Sequence, residues 1–300
     1  MARSRCRSAS GRTERPRCWA RPDMGGSGPH GAVAVVGHVE WVTHVLGTLP
    51  ARGHIADLVD PLEEPAGGGG VAACAAARLG ATVTLFTALG HDAAAQRARR
   101  QIHDRGIELL AAARAGAQTP VLSITAPDGE RTIMVVGPRM QPTAADPLPW
   151  ERLARMGAAY YAGEDPGSLQ LARNARYLVV TARRLDDLRA AGVRADVLVA
   201  SASDPAEDPS GLPEALAPGA VIVTDGGRGG TIFEHGRAPR AYAAAEPPGP
   251  VVDSYGCGDS FAAGIAVGLA RALSLDDAVA LGATIGAACT TWRGGIGPRP

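Results

Sequence analysis

The sequence contains no lysine: all 30 of its basic residues are arginine. That absence excludes chemistry that needs a lysine amine, such as a Schiff base, and excludes the Gly-Lys-Ser/Thr phosphate loop. No apolar run reaches the roughly 18 residues that a membrane-spanning helix needs, so no membrane partner is expected. Cysteine is sparse: Cys6, Cys18, Cys74, Cys257 and Cys289 lie scattered, with no paired metal spacing. An odd, scattered set points to a reducing compartment, and a cytoplasmic location is expected. Charge of one sign is missing too, since 30 basic residues face 30 acidic ones, and no global field favours nucleic acid.

The overall balance hides an asymmetry. Residues 1–22 hold seven arginines against Glu14 alone, in an Arg-, Ser- and Gly-rich stretch without apolar periodicity. It lacks the apolar core of a secretory signal, and the pattern of an amphipathic transit peptide is unclear. We expect residues 1–30 to be a disordered extension or a start read too early, with Met24 as the alternative, and residues 31–300 to form one domain.

What is present is 46% hydrophobic sequence arranged in short blocks, enough for a buried core. Ala32–Val36, Thr82–Thr87, Ala158–Ala162, Tyr177–Thr181, Val197–Ala200 and Ala220–Thr224 read as buried strands. Ala-rich Val71–Leu79, closed by Gly80, and Asp92–Arg105, closed by Gly106, read as helices between them. Strand and helix alternate, which predicts a mainly parallel sheet. Val121–Thr125 and Arg131–Val136 flank Asp128-Gly129 as a hairpin, and residues 229–243 suggest another. Residues 51–65, with Gly53 and two prolines, read as irregular. Two helices close the chain, at about 257–272 and 275–291. The first strand runs into Gly37-His-Val-Glu40 rather than a G-x-G-x-x-G turn, which disfavours a dinucleotide enzyme.

The segment Gly256-Cys-Gly-Asp259 opens the first of those last helices. Gly256 and Gly258 permit turn geometries closed to other residues and leave backbone N–H groups free to face an anion. The helix N-terminus adds about half a positive charge. Asp259 in the first turn could accept a proton from an attacking hydroxyl, as phosphoryl transfer requires. It could equally be a helix-start residue that satisfies backbone amides.

The twelve residues Asp253-Ser-Tyr-Gly-Cys-Gly-Asp-Ser-Phe-Ala-Ala-Gly264 resemble the second signature of the PfkB/ribokinase family of carbohydrate kinases, departing only at Ser254 and Cys257. Thr224-Asp-Gly-Gly-Arg-Gly229 resembles the nucleotide loop of the same family. Gly67–Gly106, with Leu79-Gly-Ala81, Gly90-His-Asp92 and Gly106-Ile107, is similar to its first signature. His91 there suits a turn role better than an acid–base one. The resemblance implies a ribokinase-like α/β fold, a central mostly parallel sheet flanked by helices, with a small β lid from about 38–66 and 107–137 that could pair into a homodimer. It implies ATP and Mg²⁺ as cofactors. Asp259 would be the catalytic base, and Gly256, Cys257 and Gly258 the anion hole. Thr224, Gly226 and Gly229 would meet ATP, and Asp253 would help hold a monovalent cation such as K⁺.

Departures cluster at the substrate end. The family's sugar-binding Asp corresponds to Val42, leaving Glu40 and His38 as the nearby polar candidates beside Gly67 and Gly68; Glu40 could also be a surface or lid residue. The Asn after the glycine pair is replaced by Val71 or Ala72. The N-x-x-E segment that places Mg²⁺, sought after the strand 177–181, reads Thr181-Ala-Arg-Arg184; Asp186 and Asp187 are near, and read equally well as acids in its place or as a solvated helix face. The expected activity is phosphorylation of a hydroxyl on a sugar or sugar-like small molecule. Two alternatives stay open: a nucleoside kinase, and a weakly catalytic binding or regulatory protein on the same fold.

Overall fold

The computed structural model describes residues 31–299; the reading of residues 1–30 lies outside the described residues. The chain enters through β1 (Ala32–Gly37), passes to a short excursion in β2 (Glu40–Leu46) and β3 (Val59–Ala66), and returns through α1 (Gly67–Arg78). Next come β4 (Thr82–Leu89), α2 (Ala93–His103) and β5 (Glu108–Ala113), then a second excursion in β6 (Pro120–Thr125) and β7 (Arg131–Val135). β8 (Ala158–Ala162), α3 (Pro166–Ala172), β9 (Tyr177–Thr181), α4 (Leu185–Ala191), β10 (Val197–Ser201) and β11 (Ala220–Thr224) follow. The hairpin β12 (Gly230–Glu234) and β13 (Arg240–Tyr242) leads to α5 (Cys257–Ala270) and α6 (Leu275–Cys289).

Nine strands form one sheet in the order β13-β12-β11-β10-β9-β8-β1-β4-β5, parallel except for the last hairpin. The alternation along β1 sets two cores. Val33 and Val35 face α1, α2, α5 and α6, whereas Ala32, Ala34 and Val36 face α3, α4 and the turn at Trp150–Arg155. Both faces are covered, which is why these strands read as continuous apolar runs.

The two excursions meet in a four-stranded sheet, order β3-β2-β6-β7. Residues 59–66, read as irregular, are its edge strand, where Pro61 and Pro65 can do without ladder bonds on the outer side. The segment 107–137 splits: Glu108–Ala113 pairs with β4 in the large sheet, and only the part from Pro120 onward joins the small one. The first helix also starts earlier than Val71, at Gly67. A Cβ on Gly69 would lie 2.7 Å from the Gly37 carbonyl carbon, so α1 rests its first turn directly on the end of β1. The glycine run serves that close approach.

α5 is buried along nearly its whole length, between the sheet, α1 and α6. Its small residues allow this: a Cβ on Gly264 would stand 2.6 Å from the Cα of Gly282, and one on Gly268 2.7 Å from Ala278. The helix that carries Asp259 in its first turn is therefore held backbone against backbone, and a methyl added at Gly264 or Gly268 costs about 1–3 kcal/mol.

Candidate active site

The parallel strands β1, β8, β9, β10 and β11 all end on the same side of the sheet, and open α/β sheets bind ligands there. At the end of β1 the chain turns inward, and His38 and Glu40 are buried. The first turn of α1 closes on them. Gly68 N–H donates to His38 Nε2 at 3.2 Å, and Gly69 N–H donates to the His38 carbonyl at 2.9 Å. The Gln141 amide nitrogen lies 3.3 Å from His38 Nδ1. Burial first, and then the Arg139 charge, push the His38 pKa down to about 4, so the ring is neutral.

Glu40 accepts from Arg139 Nε at 2.7 Å. Burial raises its pKa and the guanidinium opposes the rise. Arg139 lies on the connection from the small sheet to β8. Its Nη1 also approaches Glu164 at 3.9 Å, and Glu164 pairs with Arg184 at 3.0 Å.

Asp259 stands beside this group. A Cβ on Gly68 would fall 3.3 Å from Asp259 Oδ1 and 3.0 Å from the Ala162 Cβ. Tyr160, fully buried on β8, donates its hydroxyl to Asp259 Oδ1 at 2.7 Å. Burial raises the Asp259 pKa; the Tyr160 bond and the charges of Arg183, Arg131 and Arg184 work against it. Such a carboxylate is more basic than a solvated one. The preceding glycines differ in their surroundings. Gly256 takes φ +77° and packs on Val71 and Gly295, whereas a Cβ on Gly258 would meet nothing within 4 Å. The space over the Gly258 backbone at the start of α5 is open.

The Thr224 loop lies at the end of β11. Thr224 Oγ1 donates to the Ala200 carbonyl at 3.2 Å. Gly226, at φ +54°, faces open space. Gly229 does not: its missing Cβ would lie 2.1 Å from the Tyr242 carbonyl, so the hairpin itself demands glycine there. Tyr242 stacks on Phe261 of α5 at 5.9 Å, which fixes this loop relative to the helix that carries Asp259.

Asp253 is buried and engaged. Oδ1 accepts Tyr255 N–H at 2.9 Å and Oδ2 accepts Gly294 N–H at 3.0 Å. It ties the turn before α5 to the segment after α6. Glu64 of β3 meets the same segment, accepting Gly295 N–H at 2.6 Å and Ile296 N–H at 3.2 Å. No cluster of three or more His, Cys, Asp or Glu side chains that could hold a metal occurs among the described residues. Arg183 and Arg184 follow β9 in the place where N-x-x-E was sought. The acids nearby come from the next strand: Arg183 pairs with Asp204 at 2.6 Å and Glu207 at 2.8 Å. Ser201-Ala-Ser-Asp204 has the polar-x-x-acid spacing one strand further on.

The structure thus brings His38, Glu40, Gly67, Gly68 and Asp259 together. Sequence reasoning missed Tyr160, Arg139, Gln141 and Glu164. A signal existed for Tyr160 alone, because a tyrosine in a fully buried strand needs a partner for its hydroxyl.

The family model for the pfkB family of carbohydrate kinases matches residues 32–209 and 198–300. The chain belongs to this family. A pfkB carbohydrate kinase is a phosphotransferase with ATP as donor and a hydroxyl as acceptor. Acarbose 7(IV)-phosphotransferase of Actinoplanes sp. (strain ATCC 31044 / CBS 674.73 / SE50/110) is 43% identical over 72 residues, 23% of this chain. The match spans 24% of that protein. The Arabidopsis thaliana ribokinase solved with ribose and ATP superposes with a TM-score of 0.68 at 20% identity, covering 89% of this chain and 94% of that one. A microbiome-derived acarbose kinase, Mak1, gives 0.69 at 22% identity, covering 87% and 93%. At these identities the solved structures establish the ribokinase-like fold of the pfkB chain. No helix among the described residues is long and apolar enough to cross a membrane.

Proposed function

We propose that the protein transfers the γ-phosphoryl group of ATP to a hydroxyl of a sugar or sugar-like molecule, with Asp259 as the general base. One observation carries this reading: Asp259 is held by the Tyr160 hydroxyl at 2.7 Å and adjoins open space over Gly258 at the start of α5. The acceptor hydroxyl gives its proton to Asp259 as its oxygen attacks phosphorus, and the bond to the ADP oxygen breaks. Backbone N–H groups of residues 256–259 stabilise the charge on the transferring group. Thr224 and Gly226 line the nucleotide side, and His38, Glu40, Gly67 and Gly68 the acceptor side. The small sheet acts as a lid over the acceptor, keeping water from the phosphoryl group.

Mg²⁺ would travel with the phosphates and screen their charge. Asp204 and Glu207, sharing Arg183, are the carboxylates able to hold its water shell. Acarbose joins ribose and nucleosides among acceptors to try, because the local relative phosphorylates it. ATP consumption over an acceptor panel tests the proposal, with Asp259→Asn as control. Turnover that survives unchanged in that variant would defeat the mechanism.

A further inference from the structure

Every guanidinium described at the acceptor end is clamped by carboxylates. Arg139 lies between Glu40 at 2.7 Å and Glu164 at 3.9 Å. Arg184 lies between Glu164 at 3.0 Å and Asp187 at 3.8 Å. Glu164 is the shared partner, and it sits on the loop that leaves β8, two residues past Ala162. The three segments it joins are distant in sequence: the connection after the lid, the end of β8 and the start of α4. Their side chains are reachable, since Glu164 is 33% exposed and Arg139 38%.

The charges do not cancel. Glu40, Glu164, Asp187 and Asp259 face Arg139 and Arg184; the charges of Arg183 and Arg131 also reach Asp259, but each brings its own acids, Asp204 and Glu207 with the first and Glu130 with the second, and His38 adds no positive charge because burial keeps it neutral. An acceptor that carried a phosphate would enter a site with surplus negative charge, beside the incoming γ-phosphate. To gain a cationic partner it would have to displace Glu164 from both arginines.

We propose that Glu164 makes the acceptor site select non-anionic, hydroxyl-rich molecules and reject sugar phosphates, by keeping Arg139 and Arg184 neutralised. The selection is a repulsive device: it acts against the wrong ligand more than it favours the right one. This inference rests on the kinase reading for its purpose, but its test does not need turnover.

The test is calorimetric binding in the presence of a non-hydrolysable ATP analogue. Acarbose, D-ribose and D-fructose are compared with D-ribose 5-phosphate and D-fructose 6-phosphate, in the wild type and in Glu164→Gln. The wild type is expected to bind at least one neutral probe about a hundredfold more tightly than either phosphate ester. In Glu164→Gln that ratio falls about tenfold, through tighter binding of the ester rather than weaker binding of the neutral probe. Asp187→Asn, which releases Arg184 from its other side, moves the ratio in the same direction and serves if Glu164→Gln does not fold. Preference of the wild type for an ester, equal losses for all probes in the variants, or no binding of any neutral probe each overturns the inference. Selective binding of neutral probes without ATP consumption leaves it standing and defeats the kinase reading. Efficient phosphorylation of an ester does the reverse.

Discussion

The two ends of the proposed site are built from different materials. The end proposed for phosphoryl transfer consists of backbone and one carboxylate: the turn at Gly256–Asp259, the start of α5, and a tyrosine that donates to Asp259. The acceptor end consists of side chains from segments far apart in sequence, namely His38, Glu40, Arg139, Gln141, Glu164 and Arg184, joined by ion pairs and hydrogen bonds. A backbone device tolerates little change, because its geometry is the chemistry. A side-chain network can be rewired one residue at a time. The difference explains how one part of a cleft can keep a family pattern while the other departs from it.

The largest effect separates the two ends. Asp259→Asn is expected to lower kcat about a thousandfold while acceptor binding is retained, measured by ATP consumption and calorimetry. The same change should raise Tm by about 2 °C near neutral pH. Its raised pKa means that the folded protein disfavours the ionised form. That cost is present above the folded pKa and disappears as pH falls below the ordinary aspartate range.

Gly69→Ala strikes the junction of the ends. Its methyl would press on the Gly37 and His38 backbones at 2.7–2.8 Å, so a loss of about 2 kcal/mol and about 6 °C in Tm is expected by calorimetric scanning. Gly258→Ala is the counterpart on the open side. It should leave Tm unchanged or slightly higher, since alanine favours the helix, yet reduce kcat/KM for ATP about tenfold by filling the anion space. A large loss of Tm in Gly258→Ala would erase the distinction between a packed and an open glycine.

Tyr160→Phe is expected to cost about fivefold in kcat. The lost hydrogen bond had favoured the ionised base, so the Asp259 pKa rises further. The acid limb of the kcat–pH profile therefore moves to higher pH. The smallest effect belongs to Cys257→Ala: the hydrogen bond with Cys289, and then burial, push the thiol's pKa up, and kcat should stay within about twofold. A large loss there would mean that a side chain contributes to an end described here as backbone.

Much of the fold is legible in the sequence because a parallel sheet covered on both faces has to be written as short apolar runs, and β1, β4, β8, β9, β10 and β11 are written that way. The start of α5 is legible because glycines beside an aspartate encode a backbone shape directly. β3 is hidden by Pro61 and Pro65, which suit an edge strand and mimic a loop. Gly67–Gly70 stays outside the helix expected from Val71, because nothing local reveals that α1 presses on Gly37. The ion-pair partners at the acceptor end are illegible for a related reason. Arg139, Glu164 and Arg184 lie in connections, where charged residues usually face water, and only the tertiary fold brings them within 4 Å of one another.

The chain beyond α6 has a consequence of another kind. Gly294 hangs on Asp253, and Gly295 and Ile296 hang on Glu64, so a few late residues fasten the base-bearing turn to an edge strand of the small sheet. A proteolytic fragment cut just short of them would retain every strand and helix of the described residues, yet leave Asp253 with Tyr255 N–H alone and Glu64 without either of these amides. Such a fragment could assemble its sheet and still lack a formed site, so the segment after α6 couples the small sheet to the turn that carries Asp259.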